Sequence, residues 1–436
     1  MAWRGGSGGG SGPVPAAIAI VAVALAAATV AELAVVLLAP ASSGPEPDAA
    51  AAAGWFDPAR AEAARDFQAG QRVLFLAGVG IELAALAALA LGRPRRLRRL
   101  LVRLGARPVL GAAAAGAGIS LLLALLALPT GLIAHGRAVD VGLATQGIGD
   151  WLADRGRGAA IAAVLAAAGA AILIALQRRL PRLWWAPATA VVVAYAIVGT
   201  WLAPVVLAPV FNDFEELPPG PARHALLDLA ARAGVAVGDV YEVDASRRST
   251  GVNAYVDGIG SSRRIVLYDN LLDRADAPAL RAVVAHELGH VADHDLRRGL
   301  LFVAIVAPLG MLLVALAGTA LASRGGARPG TPAALPAFAL LITLVGFALS
   351  LAGNQLSRRV EAGADAFALE LTGDPRGFIE LQQRLAEANH SDPDPPGWLA
   401  AALRTHPPAV DRVGAALAYA EQHGIDPGEP AFPPAR

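Results

Sequence analysis

The sequence predicts a mainly α-helical, polytopic membrane protein: a bundle of seven transmembrane helices with a soluble insert that carries a small β-sheet. Hydrophobic residues make up 55% of the 436-residue chain, and its mean hydropathy is +0.51, well above the values of ordinary soluble domains. A bilayer core is crossed by about 20 consecutive apolar residues. Stretches of that kind lie near 14–40, 71–92, 108–134, 158–177, 186–208, 299–322 and 334–353.

These stretches divide the chain into six segments. The first is rich in Gly and Ser and the last in Pro, as is typical of flexible or disordered tails. We expect a flexible tail at 1–13, five transmembrane helices at 14–208, the soluble insert at 209–298, two transmembrane helices at 299–353, a helical segment at 354–426 and a disordered tail at 427–436.

The soluble insert combines helical and strand patterns. Residues 219–234 have the spacing of an amphipathic helix. Residues 240–243 and 252–256 alternate as strands do, and residues 264–268 follow a Gly-Ser-Ser turn at 260–262, which predicts a third strand. The insert is therefore predicted to contain a small sheet close to the motif that follows it.

That motif is His286-Glu287-Leu288-Gly289-His290. Residues four apart lie on one face of a helix, so both imidazoles can reach a single metal ion. Glu287, one position on, is placed to act as general base on a water molecule. Asp276 and Pro278 are helix-start signals. The motif predicts a zincin-like insert, one Zn²⁺ per chain and hydrolytic chemistry.

The third metal ligand is predicted to be Glu361. The extended motif with a further downstream His is absent, because Asp293 and Leu296 occupy its positions. Glu361 lies in a second helical segment, and Asp365, one turn on, can hydrogen-bond a ligating imidazole. The alternative is that both carboxylates belong to a solvated helix face. The small residues between them, 362–364, favour close helix packing and therefore the metal-site interpretation.

Composition limits the possible metal ligands, the partners and the cellular location. The chain has no cysteine, so thiolate ligands and disulfides are excluded, and its formal net charge is zero, which argues against a nucleic-acid partner. Lysine is absent while Ala, Arg and Gly are abundant, a composition typical of a high-GC bacterial genome. A multi-pass protein of the bacterial plasma membrane is expected.

The motif, the segment 357–369 and Thr405-His406-Pro407-Pro408 with Arg412 together resemble the integral-membrane metallopeptidases of the CAAX prenyl protease 1 type and the related heat-shock membrane proteases. The stretch from Ala208 to Asn212, the sequence Asn253-Ala254-Tyr255 and residues 264–269 are similar as well. The likeness covers most of residues 110–415.

The resemblance implies a membrane-embedded zinc endopeptidase that acts on peptides or membrane proteins. It implies that His406 donates to the oxyanion of the tetrahedral intermediate, that Asn253 approaches the scissile carbonyl and that Arg412 pairs with a carboxylate or the substrate. Two alternatives are a broad-specificity quality-control protease and a non-catalytic membrane scaffold or transporter. The intact ligand set argues against the latter.

Loop charge and family resemblance disagree about orientation. Three arginine-rich loops, after the second, fourth and sixth spans, lie on one side of a seven-span protein. Basic short loops stay cytoplasmic, which favours an external catalytic face, whereas the resemblance implies a cytoplasmic one. Glu32 and Glu82 lie inside predicted spans, where a carboxylate lines a polar cavity or bonds to a neighbouring helix.

Overall fold

The computed structural model describes residues 13–42, 44–92, 94–258, 260, 263–430 and 432. The tails expected at 1–13 and 427–436 fall partly outside these residues, although Pro13 begins the first helix. The α-helices are α1 (Pro13–Leu38), α2 (Ala49–Ala52), α3 (Pro58–Ala90), α4 (Arg95–Arg103), α5 (Pro108–Asp140), α6 (Ile148–Arg179), α7 (Trp185–Leu202), α8 (Ala208–Phe211), α9 (Pro221–Arg232), α10 (Asp269–Arg274), α11 (Ala277–Ala292), α12 (Asp295–Arg324), α13 (Leu335–Thr372), α14 (Pro375–Ala388), α15 (Gly397–Leu403) and α16 (Ala409–His423). The strands are β1 (Phe214–Glu216), β2 (Asp239–Val243), β3 (Ala254–Asp257) and β4 (Arg264–Tyr268).

Six helices in the described part, α1, α3, α5, α6, α12 and α13, are long and apolar enough to cross a membrane. A seventh crossing is made if α7 and α8, joined by a π-helical turn at 203–207, are taken as one span bent by 49°. The far end of that pair reaches the insert, where the carbonyl of Phe211 accepts a hydrogen bond from Arg247. The predicted mainly α, polytopic architecture with a small sheet is confirmed.

Several helices extend beyond their predicted spans. α3 begins at Pro58 rather than at 71, and α13 continues to Thr372 rather than ending at 353. Hydropathy marks only the apolar part of a helix, whereas these helices continue into polar sequence. The Asp57 side chain accepts hydrogen bonds from the first turn of α3, and Gly373, at φ +61°, ends α13 in the left-handed conformation that glycine adopts without penalty.

The insert contains a four-stranded mixed sheet in the order β1-β2-β4-β3. β2 and β4 are parallel, and the outer strands β1 and β3 are antiparallel to them. Three of the strands correspond to predicted ones, whereas β1 is only three residues long and acidic, so it gives no strand pattern. β3 is an edge strand beside α11.

The insert and the C-terminal helices share one apolar core. Ile265 and Leu267 of β4 pack with Val284 and Leu288 of α11, and all four are fully buried. Burial of each such side chain contributes about 1.5–3 kcal/mol to folding. This core fixes α11 against the sheet and thereby sets the position of the HELGH motif.

Candidate metal centre

The helix α11 presents both histidines of the motif on one face. Its first turn is capped by Asp276, whose side chain accepts a hydrogen bond from the backbone N–H of Ala279 at 3.0 Å. The His286 and His290 rings lie edge to face with centroids 4.8 Å apart, and their Nε2 atoms are 3.2 Å apart. The four-residue spacing thus brings two ligating nitrogens together.

Close packing of α11 on α13 brings the third group, Glu361, to the pair. A Cβ atom added at Gly289 would lie 3.2 Å from the Cα atom of Ala364, so the two backbones approach closely at this point. Glu361 is buried, with its Oε2 atom 3.2 Å from His286 Nε2 and its Oε1 atom 3.6 Å from His290 Nε2. One ligand atom from each of these three residues lies within 4.8 Å of the others.

The geometry and the electrostatics of this cluster fit a metal ion. Two ligand atoms of a tetrahedral zinc site lie roughly 3.3 Å apart, close to the observed separation of the His Nε2 atoms. The Glu361 carboxylate is buried, with an oxygen atom near the Nε2 atom of each imidazole. Burial alone would lower the pKa of His286, but hydrogen bonds with Asp365 and Glu361 raise it to about 10. The site therefore favours a cation between these side chains.

Asp365 and Arg412 hold the ring of His286 from behind. The Oδ1 atom of Asp365 is 2.8 Å from His286 Nδ1, and Arg412 Nε donates to Asp365 Oδ2 at 2.8 Å. A carboxylate on the second ring nitrogen fixes the tautomer that leaves Nε2 free to ligate. The structure thus places Arg412 on a carboxylate, one of its two expected partners.

A second carboxylate–arginine pair holds His290, and the sequence did not predict it. The Oδ2 atom of Asp295 is 3.0 Å from His290 Nδ1, and Arg298 Nε lies 3.1 Å from Asp295 Oδ1. Asp295 is brought there because His294, at φ +58°, reverses the chain between α11 and α12. The signal in the sequence was a carboxylate five residues after a ligating histidine, just past a helix end. His294 itself is exposed and lies outside the cluster.

Glu287 and His286 both line a cleft of about 750 Å³. Burial raises the pKa of the Glu287 carboxyl, and the neighbouring imidazoles of His286 and His290 offset part of that rise. A raised pKa makes the carboxylate a stronger base than a solvated glutamate.

His406 lies across the cleft, on the loop between α15 and α16. Its Nε2 atom is 3.3 Å from Glu361 Oε1, and its Nδ1 atom is 2.9 Å from Thr405 Oγ1. More than half of its side chain, 59%, is accessible, so the imidazole is open to a bound ligand. His406 therefore lies beside the predicted third ligand and faces the cleft.

Asn253 is exposed in the cleft at the start of the edge strand β3. The segment before it is held by two asparagines. Asn389 accepts from the backbone N–H of Val252 at 3.1 Å and donates to its carbonyl at 3.3 Å. Asn270, which is buried, donates to the carbonyls of Ser249 and Gly251 at 2.6 and 3.2 Å. The Asn389 side chain thus pairs with Val252 as a neighbouring strand would.

The two carboxylates expected inside the membrane have different surroundings. Glu32 accepts a hydrogen bond from Gln355 Nε2 at 3.1 Å, which links α1 to α13. Glu82 lines a cavity of about 440 Å³ between α3 and α5, together with Gln71 and Arg155. Of the two roles considered for such residues, Glu32 has the helix-linking one and Glu82 the cavity-lining one.

The fold and the site define a class of protein: a multi-pass membrane metallopeptidase whose HExxH helix is completed by a glutamate from a later helix. Residues 221–420 match the model of peptidase family M48. The chain is 29% identical to an uncharacterized metalloprotease YhfN of Bacillus subtilis over 68% of this chain and 70% of that protein. It is 33% identical to a CAAX prenyl protease 1 homolog of Oryza sativa over 51% of this chain, and the match spans only about half (53%) of the rice protein.

A solved structure shows the same fold. The crystal structure of S. mikatae Ste24p aligns with a TM-score of 0.70 at 19% identity, over 91% of this chain and 98% of that one. The resemblance noted in the sequence is confirmed: this chain is similar to membrane metallopeptidases of the CAAX prenyl protease 1 type. These similarities do not favour the two alternatives, a non-catalytic membrane scaffold or transporter and a broad-specificity quality-control protease.

Proposed function

We propose that this protein is a zinc-dependent endopeptidase that cleaves peptides or membrane proteins at the cleft between α11, β3 and the α15–α16 loop. The observation that carries the proposal is the convergence of His286, His290 and Glu361 next to Glu287 on the cleft wall. The donor set of two imidazoles and one carboxylate suits zinc. We assign one zinc ion per chain to these three ligands.

A zinc ion held by His286, His290 and Glu361 would supply a Lewis acid for the scissile carbonyl and the attacking water. Glu287 accepts the proton from that water and passes it to the leaving amine. Because burial raises the pKa of Glu287, the carboxyl group is suited to both proton transfers. Asp365 and Asp295 keep the two imidazoles in the ligating orientation.

The substrate backbone is proposed to add to the edge strand β3. An edge strand offers unpaired N–H and C=O groups, which an extended peptide can pair with, and β3 lies beside α11 in the core. Asn253 at the start of β3 then approaches the scissile carbonyl. His406, open to the cleft and 3.3 Å from Glu361, donates a hydrogen bond to the developing oxyanion.

The test compares the wild type with Glu287→Gln, both purified in detergent. We expect one equivalent of zinc in both proteins, because Glu287 is not among the ligands. We expect cleavage of a peptide library by the wild type alone, with a loss of at least about 100-fold in the variant. A prenylated and an unprenylated form of one C-terminal peptide, added to the library, report on the substrate class.

Chelation supplies the control. Removal of zinc from the wild type should abolish cleavage, and added zinc should restore it. Cleavage by Glu287→Gln at the wild-type rate would refute the assigned base, and protein that binds no zinc would refute the site itself.

A further inference from the structure

The end of the bundle opposite the metal centre carries an unusually one-sided charge. Three connections meet there: 91–107 around α4, 178–184 after α6 and 324–334 between α12 and α13. Together they contain twelve arginines and no acidic residue. The adjoining apolar segments 83–90, 108–120, 165–177 and 310–323 contain no acidic residue either. Within this region the arginines therefore have no carboxylate neighbour in the sequence.

The three connections are in direct contact. Arg98 Nη2 donates to the carbonyl of Gly326 at 3.3 Å, which joins α4 to the 324–334 connection. The backbone N–H of Gly330 donates to Gln177 Oε1 at 2.7 Å, which joins that connection to the end of α6. The arginines thus form one surface rather than three separate loops.

The helix α4 lies at this surface with two distinct faces. Leu101 is buried at 4% exposure in a cluster with Ala112, Ile174 and Leu335, and Arg98 is bound to Gly326 on a flank of that face. Arg95, Arg99 and Arg103, spaced four apart, form an exposed stripe away from Leu101. Two apolar side chains are exposed beside the stripe, Leu100 at 51% and Val102 at 58%.

The arginines of this surface that the structure describes have no carboxylate partner within 4.0 Å among the described residues. Eleven of the twelve belong to the described part of the chain, all eleven are exposed, and none of these eleven forms a salt bridge there. By contrast, arginines at the catalytic end pair with carboxylates, such as Arg223 with Asp239 at 2.5 Å. Exposed, unpaired guanidinium groups beside exposed apolar side chains suit a ligand with an anionic head and an apolar body.

We propose that α4 and the adjoining arginine-bearing connections form a binding surface for anionic phospholipids, with the guanidinium groups on the lipid phosphates. α4 connects two membrane-crossing helices, α3 and α5, and therefore lies at the bilayer interface, where head groups are. Guanidinium groups bind phosphate oxygens in a bidentate manner. Clusters of this size next to a transmembrane helix bind anionic leaflets, and each basic residue adds to the affinity.

The experiment measures lipids retained by the full-length protein. Wild type and the stripe variant Arg95→Gln/Arg99→Gln/Arg103→Gln are incubated in detergent with equal amounts of phosphatidylglycerol and phosphatidylcholine, and the bound lipids are counted by native mass spectrometry. We expect the wild type to retain phosphatidylglycerol preferentially, and its affinity to fall about tenfold or more in the variant. Equal retention of the two lipids by the wild type would overturn the proposal.

Two further variants make the result specific. Arg232→Gln/Arg281→Gln/Arg376→Gln removes the same charge from exposed positions of α9, α11 and α14, and should retain phosphatidylglycerol like the wild type. The same stripe changed to Lys preserves charge and should restore most of the binding, which separates lipid recognition from misfolding. If the α9, α11 and α14 variant lost as much binding as the stripe variant, the loss would depend on net charge alone. That result would overturn the assignment of the lipid site to α4.

Discussion

At the scale of single residues, both metal-site histidines are supported in the same way. His286 contacts Asp365 and through it Arg412, while His290 contacts Asp295, which lies beside Arg298. In each case a carboxylate on Nδ1 leaves Nε2 directed at the site. The arginine behind each carboxylate offsets the cost of burying its charge, since an unpaired buried carboxylate is strongly destabilising. We therefore expect metal affinity to depend on residues that are not ligands.

Asp295→Asn tests this dependence. The substitution keeps the size of the side chain but weakens its hydrogen bond to His290 Nδ1, so the zinc dissociation constant should rise about 10- to 100-fold. Competition with a chromophoric chelator measures it. Asp293→Asn, two residues earlier, makes the same chemical change at a side chain that forms no hydrogen bond or salt bridge with His290 in the described structure, and should bind zinc normally. Unchanged affinity in Asp295→Asn would show that His290 is held by its packing alone.

At the scale of elements, the site depends on one close contact and one strand edge. The contact is that of Gly289 on α11 with Ala364 on α13, which sets the distance from the histidines to Glu361. The edge is β3, and Asn389 holds Val252, two residues before this strand, through the oxygen and the nitrogen of its side-chain amide. Gly251 allows this arrangement, because a Cβ atom there would lie 2.7 Å from Asn389 Oδ1.

Asn389→Ala should weaken substrate binding more than metal binding. It removes two hydrogen bonds to Val252, each worth about 1 kcal/mol, and loosens the segment that leads into β3. We expect kcat/KM to fall about tenfold, mainly through KM, with a normal zinc content. Arg376→Ala, on the exposed side of α14, is the matched control. A variant with wild-type KM would mean that the edge strand does not bind substrate.

The sequence predicts the metal ligands but not all of the residues that position them or the substrate-binding edge. HELGH and Glu361 could be found because metal ligation requires particular residue types, and helix spacing is local. Asp295 was missed because its contact depends on the left-handed turn at His294, and β1 because three residues carry too little pattern. Asn389 pairs with Val252 across 137 positions, a relation that no local pattern reveals. The arginines of α4 predicted only the orientation of the chain, because nothing in their sequence indicates the contact between Arg98 and Gly326.

At the scale of the whole molecule, the metal centre and the arginine surface lie at opposite ends of the bundle. α12 runs from the metal-site residue Asp295 to Arg324, and α13 returns from the arginine end to Glu361. Basic connections stay on the cytoplasmic side. This rule predicts that the arginine surface faces the cytoplasm and that the cleft lies on the outer side of the membrane.

The absence of native cysteine makes this orientation directly measurable. A single cysteine at exposed Gln422, on the catalytic side, should react with a membrane-impermeant maleimide in intact spheroplasts. A cysteine at exposed Ser323, next to Arg324, should react only after lysis. The reverse pattern would place the cleft in the cytoplasm, as the family resemblance implied.

The length of α13 has a mechanical consequence. It is a continuous helix of 38 residues, about 57 Å long, whose first half is embedded in the membrane and whose second half bears Glu361. α11, with both histidines, is instead fixed to the sheet and crosses no membrane. A change in bilayer thickness tilts an embedded helix, and in this chain such a tilt would load the contact between α13 and α11 that joins Glu361 to the two histidines. We therefore expect the acyl-chain length of the host membrane to affect how well the site holds an ion.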